Sequence, residues 1–412
     1  MSPEEWEKLR KHGSWMRELE FLEDEDEISR DVFDVLLRRS HSEPLCPRLL
    51  KLSWVSDSVF GGYFVHFLSP QLREVQLASR SGTVFSFPHA ISALPTSSLE
   101  TLRLSVIGDE SVKRAIFSLF KTVPGGLKML EVSHMDQLWD GAWCRIMVLL
   151  PRLRTLETDQ FPPSQSPPSA PVFFFPLRQA SFRGPGASRW IHFLSENCGQ
   201  SVVTPAGPKP RTVAPLLSQL YCDFDVQLDS PLMSCFRVFQ NLSSLRLGGG
   251  CSSNVCAFRL TDEDVSQFAT QLPRLRRLSL GFVCALNTCT TTANSLLTLS
   301  VHCKELRELR IHFNTRNFAR DVGDSLRNPL RRNPWPPSRC PLTVLDVGWA
   351  PLSPSALGVG LFPTLVGLVD IFPQLQGIKF HSGQTSLGWR LLNAHLPNLQ
   401  EMRRSLPAVF SQ

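Results

Sequence analysis

Tyrosine, charged residues and long apolar runs are all scarce in this chain of 412 residues. There are 2 tyrosines, and charged residues make up 19% of the composition, below the quarter that is usual in soluble domains. Because hydrophobic residues still make up 42%, a sizeable core is available and a disordered chain is excluded. The opening residues 1–13 have neither the apolar run of a signal peptide nor the acid-free character of a transit peptide, so we expect a cytoplasmic or nuclear protein.

Motifs of known catalytic chemistry are absent as well. The sequence contains no Gly-x-Ser-x-Gly elbow, no P-loop and no His-Glu-x-x-His motif, and its 10 histidines have no ligand spacing. The pairs Gly184/Gly186 and Gly358/Gly360 lack the third glycine of a dinucleotide fingerprint. We therefore expect no enzyme activity, no cofactor and no bound metal.

The 11 cysteines are scattered through the chain rather than concentrated in a small stapled domain, which predicts reduced and mostly buried thiols. An alternative interpretation of four cysteines is a zinc site with four thiolate ligands. They form two pairs, Cys251 with Cys256 and Cys284 with Cys289. The spacing within each pair is longer than zinc sites favour, and each pair follows a predicted strand. Buried small residues in repeat turns are the preferred interpretation.

One apolar segment, Ser353–Phe372, raises the question of a membrane span. Pro363 interrupts this segment and Asp370 adds a charge. The segment also falls where the repeat pattern described below places a helix. It therefore predicts a core helix, and we expect no membrane partner.

The net charge of +6 is unevenly distributed. Residues Glu18–Glu27 hold seven acids, whereas Arg316–Arg339 holds six arginines and two acids. Runs of this kind are usually solvated, and a charge of +6 on a chain of this size is too mild to indicate a nucleic-acid partner. A nucleic-acid binder that uses Arg316–Arg339 is a rival hypothesis, which the lack of interleaved aromatic residues disfavours.

A short unit recurs along the chain and organises it. A leucine is followed three and five positions later by another aliphatic residue, as in Leu275-Arg-Arg-Leu278-Ser-Leu280. Side chains at these positions point inward from a bend and a short strand, so stacked copies build a parallel sheet over an aliphatic core. The copies begin at Leu49, Leu72, Leu99, Leu127, Leu153, Leu177, Leu242, Leu275, Leu306, Leu342 and Leu375.

The intervals between copies are those of a leucine-rich repeat. Successive starts are 23 to 28 residues apart from Leu49 to Leu177, and 31 to 36 residues apart from Leu242 to Leu375. The fold class that we predict is α/β: an irregular leucine-rich-repeat solenoid, or horseshoe, with parallel strands on the concave face and helices on the convex face.

Helices are expected in the stretches between the copies. Thr261–Leu272 has a capping threonine, early acids and one apolar face, and Asp31–Arg39 and Ser111–Lys121 have the same character. At the start of the chain, Ser2 and the glutamate three residues later form a capping-box pattern, and Gly13 can end the helix.

The interval of 65 residues from Leu177 to Leu242 is about two repeats long, and its missing strand has no clear position. Within it, Pro215–Leu220 predicts a short helix. Loop insertions are predicted near 159–171, 200–214 and 326–341. The predicted organisation is N-terminal cap helices and an acidic segment over 1–45, the solenoid over 46–400, and a tail over 401–412.

A family resemblance rests on Trp6–Leu19 with the acidic Glu23–Glu27, and on Cys46–Leu49, Leu272–Leu278 and Cys303–Leu309. With these segments the chain resembles fungal F-box/leucine-rich-repeat proteins over nearly its whole length. The resemblance implies a substrate-recognition subunit of a cullin-RING (SCF-type) ubiquitin ligase, which binds its substrate through the repeats. No room exists for an F-box before the first repeat-like segment, so a Skp-type adaptor is expected only if an F-box lies upstream of Met1. The alternative is a scaffolding leucine-rich-repeat protein unrelated to ubiquitination.

The residue between the last two leucines of each copy is expected to project from the concave face of the sheet. In order, this column is Ser53, Gln76, Arg103, Glu131, Glu157, Ser181, Arg246, Ser279, Arg310, Asp346 and Lys379. It is acidic at Glu131 and Glu157 and basic farther along, and such a charge reversal would orient a protein partner. The alternative is that exposed strand residues are polar in any case. As partner contacts, acting through charge-assisted hydrogen bonds, we predict Arg183, Arg246, Arg277, Glu308, Arg310 and His312.

Overall fold

The computed structural model describes residues 2–23, 30–40, 44–56, 59–79, 91–106, 110–123, 126–133, 150–159, 177–184, 187–198, 216–223, 230–248, 260–281, 290–314, 318, 340–348, 352, 361–380 and 387–405. The chain forms two compact units, Met1–Gly186 and Ala187–Gln412. In each unit, short parallel strands alternate with helices or irregular returns.

The first unit contains seven described strands, and each pairs in parallel with the next along the chain. The strands are β1 (Glu18–Leu22), β2 (Lys51–Val55), β3 (Glu74–Ser79), β4 (Thr101–Val106), β5 (Met129–Ser133), β6 (Thr155–Thr158) and β7 (Gln179–Arg183). Its described helices are α1 (Pro3–Gly13), α2 (Arg30–Ser40), α3 (Glu110–Thr122) and a 3-10 helix, Val59–Phe67.

The second unit contains six described strands with the same parallel pairing between neighbours. The strands are β8 (Gln219–Asp223), β9 (Ser244–Gly248), β10 (Arg277–Leu280), β11 (Glu308–Ile311), β12 (Val344–Asp346) and β13 (Gly377–Lys379). The described helices are α4 (Ala187–Cys198), α5 (Ser230–Ser234), a 3-10 helix (Cys235–Val238), α6 (Asp262–Gln271), α7 (Ala293–His302), α8 (Leu361–Ile371) and α9 (Leu387–Ser405).

The recurring leucines explain where the strands lie. Every predicted copy forms a strand that begins two residues after its first leucine. In the copy that begins at Leu275, the three leucines are 0%, 2% and 0% exposed. Burying each such side chain contributes roughly 1.5–3 kcal/mol. The predicted fold class, an α/β leucine-rich-repeat solenoid, is confirmed.

A backbone ladder joins successive repeats at the bend before each strand. The carbonyl oxygen of Arg276 accepts hydrogen bonds from the amides of Arg307 and Glu308, at 2.8 and 3.1 Å. The same two-amide arrangement recurs at the carbonyls of Arg17, Leu50, Arg73, Glu100, Lys128, Arg154, Ser218, Ser243, Arg307 and Thr343. These bonds satisfy backbone groups that the bends would otherwise leave unpaired.

Two consecutive threonines contact the repeats on either side of them in the second unit. The hydroxyl of Thr290 donates to the carbonyl oxygen of Leu260 in the preceding repeat, at 2.6 Å. The buried hydroxyl of Thr291 donates to the carbonyl oxygen of His312 in the following repeat, at 2.8 Å. The segment before α7 is thereby hydrogen-bonded in both directions along the array.

Local capping explains where two helices begin. The amide of Glu5 donates to the Ser2 hydroxyl at 3.2 Å, and the amide of Ser2 donates to the Glu5 carboxylate at 2.6 Å. The predicted capping box of α1 is confirmed, and α6 begins with the same reciprocal pair, Thr261 and Asp264. As predicted, α1 ends at Gly13, which is buried.

Three further helix predictions are confirmed as well. Asp31–Arg39 and Ser111–Lys121 lie within α2 and α3. The apolar segment Ser353–Phe372 contains α8, whose Leu368 and Val369 side chains are buried. Among the described helices, none has both the length and the apolar character needed to cross a membrane.

The short helix predicted over Pro215–Leu220 is wrong, because β8 begins at Gln219. Leu217, Leu220 and Cys222 repeat the three-and-five spacing and are 2%, 0% and 1% exposed. A cysteine takes the place of the last leucine, which hid the copy in the sequence. This strand occupies part of the long interval that follows Leu177.

Strand β1 was not predicted either, since only cap helices and an acidic segment were expected over 1–45. Its copy of the unit has Met16 in place of the first leucine, followed by Leu19 and the buried Phe21. Each residue of β1 pairs in register with β2, from Glu18 opposite Lys51 onward. The repeat pattern therefore starts one copy earlier than the leucines indicate.

Several predictions fall outside the described residues. Most of the three loop insertions lies there, at 160–176, 199–215 and 319–339. So do both cysteine pairs with a possible zinc spacing, most of the arginine-rich stretch Arg316–Arg339, and residues 406–412 of the predicted tail.

Candidate partner-binding face

The column of outward residues lies on one face of the strands in each unit, and we call it the strand face. In the first unit, register partners run Glu20, Ser53, Gln76, Arg103, Glu131, Glu157 and Ser181. In the second unit they run Tyr221, Arg246, Ser279, Arg310, Asp346 and Lys379. The predicted column is confirmed in register, with Glu20 and Tyr221 as two members that the leucine pattern missed.

The strand face of the first unit is a row of paired charges. The Arg103 guanidinium lies 3.0 Å from the carboxylate of Glu74 and 3.4 Å from that of Glu131. Farther along, Arg183 lies 3.8 Å from Glu157. Since each arginine faces a carboxylate, this row offers little unmatched positive charge to a partner.

Glu157 has the least favourable electrostatic environment in that row. Burial raises the pKa of its carboxyl group, and the neighbouring Glu131 carboxylate raises it further. The cations Arg183 and Arg103 offset only part of this. The ionised form is thus disfavoured in the folded chain relative to the unfolded chain.

We expect Glu157→Gln to raise the melting temperature at pH 7. A carboxyl with a raised pKa opposes folding above that pKa, and this opposition disappears below the ordinary unfolded value of about 4.3. The gain should therefore shrink as the pH falls through the raised pKa, and vanish near pH 4. Thermal melts of both proteins from pH 4 to pH 8 measure it.

Glu100→Gln is the control for this experiment, because hydrogen bonding to Lys128 lowers the pKa of Glu100. Its effect should have the opposite sign, with a small loss of stability at neutral pH that fades in acid. A gain for Glu157→Gln that does not change with pH would contradict the assignment.

The strand face of the second unit contains a depression of about 310 Å³, which we call the basic depression. Its charged lining consists of Arg246, Arg277, Arg310, Lys379, Glu308 and Asp346. The lining thus contains four cationic side chains and two carboxylates, an excess of positive charge. All of these side chains project from neighbouring strands, so the rigid sheet sets their spacing.

Pairing within the basic depression is incomplete. Arg310 Nε lies 3.5 Å from an Asp346 carboxylate oxygen, and the two side chains are 22% and 21% exposed. Arg277 and Glu308 are register partners on β10 and β11 and are exposed. In the described part of the chain, neither their side chains nor that of Lys379 takes part in a hydrogen bond or ion pair.

A serine hydroxyl lies at the centre of this lining. Ser279 stands between Arg246 and Arg310 in the column, and its Oγ is buried with no hydrogen-bond partner among the described residues. The hydroxyl of Tyr221, in contrast, already donates to Gln219 Oε1 at 3.1 Å. A buried hydroxyl without a partner costs free energy, and sequence spacing alone does not reveal one.

The structure brings together four of the six predicted contact residues. Arg246, Arg277, Glu308 and Arg310 all line the basic depression. Arg183 lies in the first unit at the end of β7, and its side chain is 61% exposed.

His312 is the exception among the predicted contacts. It follows the last residue of β11 and is 8% exposed, and burial lowers the pKa of its imidazole. Its side chain therefore does not project openly from the strand face, as the prediction of a partner contact required. The alternation of buried and exposed residues ends with the strand, at Ile311.

Chemistry elsewhere in the described residues is limited. Desolvation raises the pKa of Cys46 and Cys340 to about 11 and that of Cys303 to about 12, so these thiols are poor nucleophiles. Four of the five described cysteines are buried, as predicted. No cluster of three or more metal-ligating side chains is present in the described part of the chain.

Comparison with known proteins adds a distant structural likeness. No protein-family model matches the sequence, and no curated protein matches it. Among solved structures, the chain is similar to one described as the crystal structure of the Rad7 and Elc1 complex in yeast. The identity is 12% and the TM-score 0.43, over 82% of this chain and 71% of that one. A TM-score of this size is too low to transfer a function.

Proposed function

We propose that this chain binds a protein partner through the strand face of its second unit, and that it serves as the substrate-recognition subunit of a cullin-RING ubiquitin ligase. The observation that carries the proposal is the basic depression, where four cations stand over two carboxylates on a rigid sheet. Arginine is enriched in the centres of protein interfaces because its planar group makes several directed hydrogen bonds.

Recognition fits the chemistry of this face better than catalysis does. The charged groups lie along five neighbouring strands, which is the spread of an interface with an extended or folded protein surface. Both signs of charge are present at the surface in Arg277, Glu308 and Lys379, whose side chains bond to none of the residues that the structure describes. This favours one orientation of a partner over others.

Reversal of three charges tests the proposed binding. The variant Arg246→Glu/Arg277→Glu/Arg310→Glu should lose partner capture by at least about a hundredfold, since buried or central charge contacts each contribute about 2 kcal/mol or more. Chemical cross-linking and affinity capture from cells, followed by quantification of each captured protein against wild type, measures the loss. Circular dichroism checks that the variant is folded.

A matched control carries the same change of charge away from the basic depression. Arg237, Arg274 and Arg390 are exposed residues of the same unit that do not line it. Their combined replacement with glutamate should leave capture within a factor of about two, because distant surface charges act weakly through screened electrostatics. Equal losses of partner capture in both variants would contradict the proposed binding face.

The ligase role has its own test. The captured complexes are probed for a Skp-type adaptor and a cullin, and the captured partner is assayed for ubiquitination with and without this chain. A partner that is captured through the basic depression while adaptor and cullin are never present would favour the scaffold function instead.

A further inference from the structure

The unpartnered hydroxyl of Ser279 points to what the basic depression accepts. Ser279 Oγ is buried and bonds to no described residue, yet it stands between two arginines in a lined depression. A buried donor of this kind is stabilised when a ligand supplies the missing acceptor. The two flanking guanidinium groups determine which acceptor fits best.

We propose that Ser279, Arg246 and Arg310 form a subsite for one anionic side-chain group, a carboxylate or a phosphorylated hydroxyl, carried by an extended segment of the partner protein. This inference rests on the proposed function and names the chemistry that the site selects. The Ser279 hydroxyl is covered in the unliganded chain, and it donates to one oxygen of the group once the side chains over it turn toward the ligand. The arginines then flank the group from the two neighbouring strands.

The spacing of the strands suits a single anionic group. Adjacent strands lie ~4.8 Å apart, so the backbones at Arg246 and Arg310 are separated by roughly 10 Å across β10. Two arginine side chains easily converge across that distance on an oxygen held over Ser279. Because Asp346 holds Arg310 Nε from the far side, the guanidinium group is already positioned before a ligand arrives.

Other ligand classes fit less well. An apolar group would leave the Ser279 hydroxyl unsatisfied, and a cation would face Arg246, Arg277, Arg310 and Lys379 at once. A nucleic-acid backbone needs a continuous row of cations, whereas Glu308 and Asp346 interrupt this one.

The test uses the full chain and a library of labelled nonapeptides with degenerate flanks and a fixed central residue. The central residue is glutamate, phosphoserine or glutamine, and binding is read by fluorescence polarisation. Wild type should favour a glutamate or phosphoserine centre over glutamine by about tenfold, the effect of one charge-assisted hydrogen bond. Whichever anionic centre binds more tightly identifies the source of the group.

Ser279→Ala is the decisive variant, and Ser181→Ala is its matched control. Ser181 occupies the same column of the first unit but neighbours Glu157 instead of two arginines. Ser279→Ala should reduce the preference for an anionic centre to within about threefold, while Ser181→Ala leaves it unchanged. Because Ser279→Ala removes an unsatisfied hydroxyl, its melting temperature should not fall, which separates lost selectivity from lost folding.

The remaining results overturn either the subsite alone or the proposed function. Peptide binding without preference for an anionic centre, or a preference that survives in Ser279→Ala, overturns the subsite and leaves the proposed function standing. Tighter binding of random RNA than of any peptide also overturns the subsite. Absence of binding to every peptide pool by wild type, together with no loss of capture in the charge-reversed variant, overturns the proposed function itself.

Discussion

Replacing Asp262 with alanine is expected to lower the free energy of unfolding of the second unit by about 3 kcal/mol. Asp262 opens α6, but its carboxylate reaches the next repeat. One oxygen accepts from the amide of Thr292 at 2.7 Å and from the Ser295 hydroxyl at 2.5 Å, and the other accepts from the Thr292 hydroxyl at 2.6 Å. Alanine removes the charged acceptor of three part-buried donors at the start of α7, so three charge-assisted hydrogen bonds between the repeats are lost.

Urea unfolding followed by circular dichroism measures this loss. Glu263→Ala is the matched control, because Glu263 is the next residue of the same helical turn and is exposed. Loss of the helix-dipole interaction alone should change the free energy of unfolding by under about 1 kcal/mol. If Asp262→Ala and Glu263→Ala destabilise equally, the contact between the repeats contributes nothing beyond that interaction.

Phe236→Ala should cost about 4 kcal/mol, the usual range for a fully buried phenylalanine. Phe236 is 0% exposed, and its ring centroid lies 5.8 Å from that of Phe268 on α6 and 6.2 Å from that of Phe239. The deletion leaves a cavity between the 3-10 helix and α6, where the surrounding backbone is held by hydrogen bonds and relaxes only in part.

Thermal and urea unfolding both report this change. Phe236→Leu should lose much less than Phe236→Ala, because leucine fills most of the same volume. Phe362→Ala is the control for phenylalanine removal as such, since Phe362 is 61% exposed on α8 and its loss should stay within about 0.5 kcal/mol. A loss for Phe236→Ala as small as that of Phe362→Ala would mean that the aromatic cluster is not part of the folding core.

The sequence predicts the fold wherever leucine itself fills the three buried positions. The copy at Leu275 is such a case, and its strand lies where the spacing places it. The copies of β1 and β8 contain Met16 and Cys222 at those positions, so the same packing is formed by residues other than leucine. Packing tolerates such exchanges of apolar side chains, which is why a pattern that requires leucine first and aliphatic residues after it undercounts the strands.

For the candidate site, the sequence predicts the direction of side chains better than their surroundings. Alternation along a strand is enough to place Arg246 and Arg310 in one column. The burial of His312 and the unpartnered hydroxyl of Ser279 depend on how residues distant in sequence enclose them. Neither follows from spacing within one repeat.

The threonines before α7 make the unfolding of neighbouring repeats in the second unit cooperative. A repeat array behaves as a chain of neighbours, in which a terminal repeat can open while the rest stays folded. Thr290 and Thr291 bond to the preceding and following repeats, and Asp262 adds a third link to the same segment. Opening any one of these repeats therefore removes contacts from the other two. The middle of the second unit should behave as one cooperative block, and three of the strands that line the basic depression, β9 to β11, belong to it.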